Sequence, residues 1–525
     1  MPNYFFPGVF IQPITISRRP VKAAATSTAA MVGLTERGPT EPRLVQSWDE
    51  YRDYFGDGYN AADSFLPPAV KGFFDNGGQR LHVVRINRSD ATTAVAEYPT
   101  ANPGQRLLLS AIGPGGWGSR VYLRISDASR VDASGQALGI RITLLYFQDP
   151  PASFVDPLAA ANATNPNRVE PDLIEDFDNL GLDPTRADDV LTQLGKSRLV
   201  RARWSSAATP PSRPGNSPFA QLSSLAGSDG IAPLTALDYQ GHVSRNTGLG
   251  ACAGIDEIAL LLVPDEVHPG IDAVNQGEIR NAVTLQCERL RNRFAILQLA
   301  GHQAAAEVEA PGLDSAYAAV YYPWIRVFDQ QSSGTLLIPP GGHIAGIYAR
   351  CDRERGVHKA PANMVLRGIV DPPMTASLKP LEFALDSQQQ RPLNAQSINV
   401  IRDFRDRGRG VRVWGARTLA SDPRWRYISV RRLCILIEVS VHKHLEWVTF
   451  AVNDATTRAR VQQEVSAFLN TLFVSGALQG SKASAAYFVR CYAQPQTTNI
   501  VCDIGIAATR PAEFEMIRIQ QASAS

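Results

Sequence analysis

Residues 341–363, GGHIAGIYARCDRERGVHKAPAN, carry His343, Cys351, Asp352 and His358. Those residue types could form a Cys/His nucleophile pair or a metal site, but both need a convergent geometry that spacing alone does not supply. The GVHKAPAN portion reads equally well as a loop with a Pro-fixed bend. His442 and His444 flank Lys443. On a strand the two histidines would share a face and could bind a metal; on a helix they would not. The glycines of GPGGWG (113–118) suggest a phosphate loop, but the Lys-Ser/Thr ending and the following helix are missing, so a turn is the simpler reading. No GxSxG, HExxH, Walker motif or dinucleotide fingerprint stands in the right setting. Six cysteines (Cys252, Cys287, Cys351, Cys434, Cys491 and Cys502) form no CxxC pair and read as reduced thiols rather than a zinc site. These residues predict no metal and no cofactor.

The densest recognition chemistry lies in residues 410–433, GVRVWGARTLASDPRWRYISVRRL. Trp414, Trp425 and Tyr427 sit among Arg412, Arg417, Arg424, Arg426, Arg431 and Arg432, with Arg409 just outside. Arginine stems covering apolar neighbours would explain the stretch. So would a surface built to meet another macromolecule, where arginine and aromatics are enriched. Asp403, Asp406 and Asp422 are the counter-charges between Arg402 and Arg432, so this run could grip phosphate or an acidic protein. The whole chain carries a formal charge of only +2, which argues against a dedicated nucleic-acid binder.

The elements that must position these residues alternate in type. With 525 residues the chain is too long for one core. Its charged fraction, 19%, is below the usual ~25%, as expected of a surface covered by sister subunits. No apolar run approaches ~20 residues, so no membrane span and no direct membrane insertion are expected. Ser17-Arg18-Arg19 superficially resembles an export signal, but the weakly apolar residues after it suit a buried strand, so no signal peptide is read here. FFPGVFIQPI opens the chain as a Pro-spaced extended arm, and FEMIRIQ after Pro511 mirrors it. Ser47 with Glu50 marks a capped helix start. LHVVRI, IALLLVPD and RFAILQLA are buried strands around a helix over 276–290, a βαβ pattern. Residues 91–229 change texture to short strands between Thr/Ala/Pro/Asn-rich loops. Residues 430–441 fit strand alternation and one helical face alike. Residues 454–474 fit one helical face, with Asn453 or Asp454 as cap.

These motifs, taken together, resemble the contractile tail sheath proteins of phages and phage-tail-like injection systems. The resemblance is carried by YFFPGVFIQ, ATSTAAMVGLTERGP, AVKGFFDNGGQRLHVVRI, SAYAAVYYPWIRV, PPGGHIAGIYARCDRERGVHKAPAN, INVIRDFRDRGRGVRVWGARTLASDPRWRYISVRRL, AYFVRCYA and RPAEFEMIRI. It implies a non-enzymatic α/β (mixed α+β) subunit of nested domains. The expected division is an N-terminal arm (1–22), a central α/β domain (23–90 with 231–390), a variable and mostly β outer insertion (91–230), an inner domain (391–508) and a C-terminal arm (509–525). It implies hexameric rings stacked helically around an inner tube, baseplate and terminal cap partners, and paralogous sheath proteins in some assemblies. Assembly would start in the bacterial cytoplasm and end in a virion, a released injection particle or a membrane-attached device. Phe6, Val9, Phe10, Ile11, Ile14 and Ile16, with Phe514, Met516, Ile517 and Ile519, would be the strands that link subunits. Residues 431–447, RRLCILIEVSVHKHLEW, would be an inner helix facing the tube, with Arg431, Arg432, His442 and Lys443 as tube contacts. Trp414, Trp425 and Tyr427 would anchor the inner domain's packing. The rival reading is an α/β enzyme centred on 341–363, which requires a deep polar pocket there.

Overall fold

The computed structural model describes residues 20–57, 63–206, 211–329, 334–373, 376–493 and 499–511. They divide into a larger compact unit (25–435 with 510–511) and a smaller one (20–24 with 436–509). The larger unit opens with β1 (Ala29–Gly33), β2 (Arg43–Val45), α1 (Trp48–Phe55), α2 (Leu66–Asp75) and β3 (Leu81–Arg85). Ser47 caps α1 by accepting the Glu50 N–H at 3.1 Å, and the Glu50 carboxylate accepts the Gln46 N–H at 2.8 Å. The cap expected at Ser47 is therefore present, with Glu50 reaching one residue further back than an ideal capping box.

An insertion follows, made of β4 (Val95–Pro99), β5 (Arg106–Ala111), β6 (Val121–Asp127), β7 (Ile140–Tyr146), β8 (Leu173–Leu180), α3 (Val190–Leu194), β9 (Val200–Trp204) and β10 (Ser217–Gln221). Its antiparallel sheets, β10-β6-β7-β8 and β4-β5-β9, enclose their own core around Leu109, Trp117, Leu123, Ile142 and Leu144. GPGGWG belongs to that core: Trp117 is buried and its indole N–H donates to the Pro114 carbonyl at 3.0 Å.

The chain then returns through α4 (Ala236–Gln240), α5 (Gly248–Cys252), β11 (Leu260–Leu262), α6 (Ala273–Leu290), β12 (Phe294–Gln298), β13 (Ala318–Tyr322), β14 (Ile325–Phe328), β15 (Thr335–Ile338), α7 (Gly341–Arg355), α8 (Ser387–Ala395), β16 (Ile398–Asp403) and β17 (Val411–Trp414). One eight-stranded sheet runs β17-β16-β13-β12-β11-β1-β3-β2. It is parallel except at its two edges, where β2 and β17 run antiparallel. Parallel strands covered on both faces read as unbroken apolar runs. AAMVG, FAILQ and AAVYY are accordingly buried throughout. One face packs on Ile279, Val283 and Cys287 of α6, the stripe its spacing predicts.

The α7 helix explains the GGHIAG run. It crosses α2 so closely that a Cβ at Gly342 would run into the Ala69 backbone, and one at Gly346 into the Phe73 carbonyl. The small residues are there for helix contact, with no solvent-facing chemistry.

α9 (Ile428–His444) leads out of the larger unit. The strand-or-helix ambiguity of 430–441 is thus resolved as helix. The smaller unit continues with α10 (Ala455–Val474), α11 (Ala483–Ala486), β18 (Tyr487–Ala493) and β19 (Ile500–Ile506). Asp454 caps α10 by accepting the Thr457 N–H at 2.7 Å. This division differs from the expected unit over 391–508, because β16 pairs with β13 and carries β17 with it into the large sheet.

Two adjacent carboxylates, Asp265 and Glu266, lie buried just after β11. A doubly wound sheet opens its ligand crevice where the strand order reverses, here at the C-terminal ends of β1 and β11. That position is filled: Asp265 accepts the Phe65 N–H at 2.6 Å and the Ser64 hydroxyl at 2.9 Å, and a Cβ at Gly33 would meet Asp265 Oδ2 at 2.9 Å. Burial pushes Glu266 up to about 8, against the pull of Arg280 and of the Gln298 N–H, which donates to Oε1 at 2.6 Å. The folded value stands above the unfolded one of about 4.3, so stability is fullest below that value and is lost as pH rises through the folded value. The thermal midpoint should fall between about pH 5 and about pH 9, and Glu266→Gln should flatten that fall. Gly342→Ala should cost about 1–3 kcal/mol in denaturant titration. Gly277→Ala is the control: it lies within α6 with nothing within 4 Å of a Cβ, and should be neutral or stabilising.

Candidate assembly interface

The arginine–aromatic stretch is the first of two sites to build. At the start of α9, Arg432 forms a bidentate pair with Asp352 of α7, at 2.8 and 2.6 Å, and donates to the Thr26 carbonyl at 2.8 Å. Both side chains are about 95% buried, and the guanidinium lies 4.8 Å from the centre of the Tyr348 ring. Arg431 is stacked between the rings of Tyr317 and Trp425, each at 4.4 Å. Arg431 and Arg432 are therefore not tube-facing. Their charges face their own chain, and this corrects the expectation for both. Two arginines at successive positions of a helix look like a surface signal because sequence shows charge and not burial.

Trp414 packs partly buried against the large core and 4.7 Å from Phe404, while the Trp425 carbonyl accepts the Thr418 hydroxyl at 2.7 Å. Tyr427 is half-buried, and its carbonyl accepts the Val430 and Arg431 N–H groups in the first turn of α9. These three rings pack in the larger unit. His442 and Lys443, in the last turn of α9, are exposed. His444 instead shares Glu464 with Arg460, at 3.0 and 2.9 Å, and Arg460 lies 4.0 Å over the Trp447 ring. On a helix, His442 and His444 diverge, as the spacing predicts for that case.

The 341–363 cluster does not converge. His343 and Cys351 are eight residues apart on one helix, about 12 Å. Burial pushes the His343 imidazole down to about 4 and the Cys351 thiol up to about 11. Cys351 Sγ lies 3.6 Å from the Ala360 carbonyl, and Asp352 is taken up by Arg432.

The second site is the hairpin of the smaller unit. β18 and β19 pair antiparallel over seven residues, Tyr487 with Ile506 through Ala493 with Ile500. Among the described residues they form a two-stranded sheet, so no third strand takes up the N–H and C=O groups of their outer edges. The Cys491 N–H points outward, donating to Gln462 Oε1 of α10 at 3.4 Å, and by alternation so do those of Val489 and Ala493. Val461, Val465, Phe468 and Leu469 of α10 are buried, while Phe488 and Tyr492 stand exposed on the hairpin. Phe488 lies over Gly505, its cross-strand partner, where a Cβ would strike the ring. Residue 24 enters beside α9, the Ala24 N–H donating to Ser440 Oγ at 2.9 Å. The sequence offers Asp352 only as part of a catalytic or metal cluster and marks neither Gln462 nor Ser440; the roles of all three depend on long-range pairing. Phe6, Val9, Phe10, Ile11, Ile14 and Ile16, and likewise Phe514, Met516, Ile517 and Ile519, lie outside the described residues.

A filled crevice, a buried arginine scaffold and an open-edged hairpin define a structural subunit. Comparison with known proteins identifies the family. The sequence matches the family models of the phage tail sheath protein central domain over residues 249–419 and of the phage tail sheath C-terminal domain over residues 420–522, together more than half of the chain. A prophage protein of Pseudomonas aeruginosa described as a major tail sheath protein is 26% identical over 261 residues, 48% of this chain and 64% of that one. The tail sheath protein of Burkholderia phage BcepMu is 29% identical over 171 residues, 31% of this chain and 34% of that one. The chain thus spans less than two thirds of the length of these relatives. Among solved structures, the helical sheath of the anti-feeding prophage in the contracted state superposes with a TM-score of 0.56 at 23% identity, covering 98% of this chain and 99% of that one. The contracted sheath of the PVC extracellular contractile injection system gives 0.55 at 21% identity, covering 99% of each. These likenesses establish the shared fold. The chain belongs to the phage tail sheath protein family, a structural and not an enzymatic family.

The buried ion pair yields a test. Removing one partner strands a desolvated charge, at about 3–5 kcal/mol, whereas replacing both by apolar side chains is near neutral. Arg432→Met should lose about that much unfolding free energy, and adding Asp352→Leu should recover most of it. Equal loss in the single and double variants would rule out this account.

Proposed function

We propose that this chain polymerises as stacked hexameric rings around an inner tube and contracts to drive that tube through a target envelope. The observation that supports the reading is the hairpin. A two-stranded sheet is marginal on its own, and β18–β19 offers open edges to added strands. The chain also carries two strand-patterned ends, around Phe10, Ile14 and Ile16 and around Phe514, Met516 and Ile519. Donating those ends to neighbouring hairpins would link rings into a mesh. Each added backbone hydrogen bond contributes roughly 0.5–1.5 kcal/mol net. Such links persist while rigid subunits rotate and slide, so contraction need not dissolve the polymer. The extended sheath is then a kinetically trapped state, and contraction increases or improves the interface between subunits.

The partners this reading assigns are other copies of the chain, an inner tube protein, baseplate and terminal cap proteins and, in some assemblies, sheath paralogues. The particle would be a phage tail or a released injection device. The exposed His442 and Lys443 are the remaining tube-facing candidates of the four first considered. Deleting residues 1–16 should leave folded, soluble subunits that form no tubes by negative-stain microscopy. Normal sheaths from that variant would sink the strand-exchange reading. Lys443→Glu should weaken assembly on the tube more at low salt than at high salt.

A further inference from the structure

Cys491 of β18 stands directly opposite Cys502 of β19 in the hairpin register. The Cys491 N–H points away from β19, to Gln462 Oε1 of α10, which makes this a non-hydrogen-bonded pair. Cα atoms in such pairs lie about 4.5 Å apart, within the span that a disulfide bridges, about 4.4–6.8 Å. The two side chains already touch: the Cys491 thiol donates a hydrogen bond to the Cys502 sulfur. Both are half-buried, on the face they share with Val489 and Ile504, while Phe488 and Arg490 on the other face are exposed. A small oxidant can therefore reach them. Cys252, Cys287 and Cys351 are instead buried, which shuts such an oxidant out. The sequence shows two unrelated cysteines, and the register makes them a pair.

We propose that Cys491 and Cys502 are an oxidation site, closing to a cross-strand disulfide by exchange with a low-molecular-weight disulfide of the oxidised glutathione class. The Cys502 thiolate attacks one sulfur of the small disulfide, forming a mixed disulfide and expelling one small thiolate. The Cys491 thiol then gives its proton to solvent, and its thiolate attacks Cys502 Sγ and expels the second. Two protein thiols lose two electrons and two protons, and the small disulfide becomes two thiols. Cys502 is the better first nucleophile. Burial pushes the Cys491 thiol up to about 12, and donating to Cys502 holds its proton further. Burial raises Cys502 too, but accepting that hydrogen bond pulls it back. Scarce thiolate makes the exchange slow at neutral pH and faster as pH rises. A reducing cytosol keeps such a pair open, and oxidising surroundings close it. Once closed, the bond locks the register, because a slip of one residue would turn the two sulfurs to opposite faces. It leaves the outer edges of the hairpin untouched, since the sulfurs lie on a face. The benefit to strand addition rests on the strand-exchange reading, whereas the disulfide itself does not.

The test uses the full-length chain, reduced and then held with excess oxidised glutathione. Samples are quenched in acid, alkylated, digested without reduction and mapped by mass spectrometry. One linked peptide should join Cys491 to Cys502 within a chain, and its rate of formation should rise about tenfold from about pH 7 to about pH 8.5. Closure should slow hydrogen exchange across β18 and β19 about fivefold or more relative to the reduced chain. Cys491→Ser should leave Cys502 as a lasting mixed disulfide with glutathione. Glutathione on both cysteines of the unaltered chain, links between isotopically distinct chains, or both thiols still free at equilibrium would each overturn the proposal. Tube formation is scored separately on the same samples. Tubes from chains whose thiols never pair would sink this proposal alone, and a disulfide in chains that never form tubes would sink the assembly reading alone.

Discussion

The buried pair between Arg432 and Asp352 constrains the structure around it. Two desolvated charges have one good solution, and the bidentate geometry at 2.8 and 2.6 Å supplies it. The pair ties the first turn of α9 to α7, and its third hydrogen bond, to the Thr26 carbonyl, ties both to the chain just before β1. α7 is itself pinned by its glycine-mediated crossing of α2. The rigid start of α9 is therefore fixed by a charge, a close helix contact and the entry to the central sheet together. From there the helix runs on to the exposed turn that bears His442 and Lys443.

Much of this was legible in the sequence. Unbroken apolar runs such as AAMVG and FAILQ announced a sheet covered on both faces, and Ser47 and Asp454 announced their helices by capping chemistry. What was not legible depends on pairing across long separations. The stretch 398–414 looks like the start of a new unit, yet it joins β13, about 80 residues earlier, as the edge of the large sheet. Arg431 and Arg432 look like surface because a guanidinium is costly to bury alone. Asp352, the Thr26 carbonyl and the rings of Tyr317, Trp425 and Tyr348 make burial tolerable, and their proximity is a tertiary fact. The His343–Cys351–Asp352–His358 cluster failed for the converse reason: residues close in sequence are spread along a helix and its following loop.

The insertion is built so that it leaves the ladder of the large sheet unchanged. Its core, around Trp117 and Ile142, is its own. It leaves the central sheet after β3 and returns to α4, so its strands add nothing to the eight-stranded ladder. A change of length or composition there alters a separate packing problem.

The hairpin is the opposite case, an element incomplete by itself. Phe488 and Tyr492 stand exposed on it, and among the described residues no third strand pairs with its edges. Proteins that leave an edge open usually blunt it with charge or proline. Here Arg490 and Asp503 face each other across the pair, which fixes register but leaves the edge hydrogen-bonding groups available. An edge with a fixed register and free backbone groups suits selective strand addition better than indiscriminate aggregation, because an incoming strand must match the alternation already set. The alternating apolar and polar residues of FEMIRIQ meet that requirement. A chain of only +2 net charge has little long-range field to organise a polymer, so register and shape must do most of it.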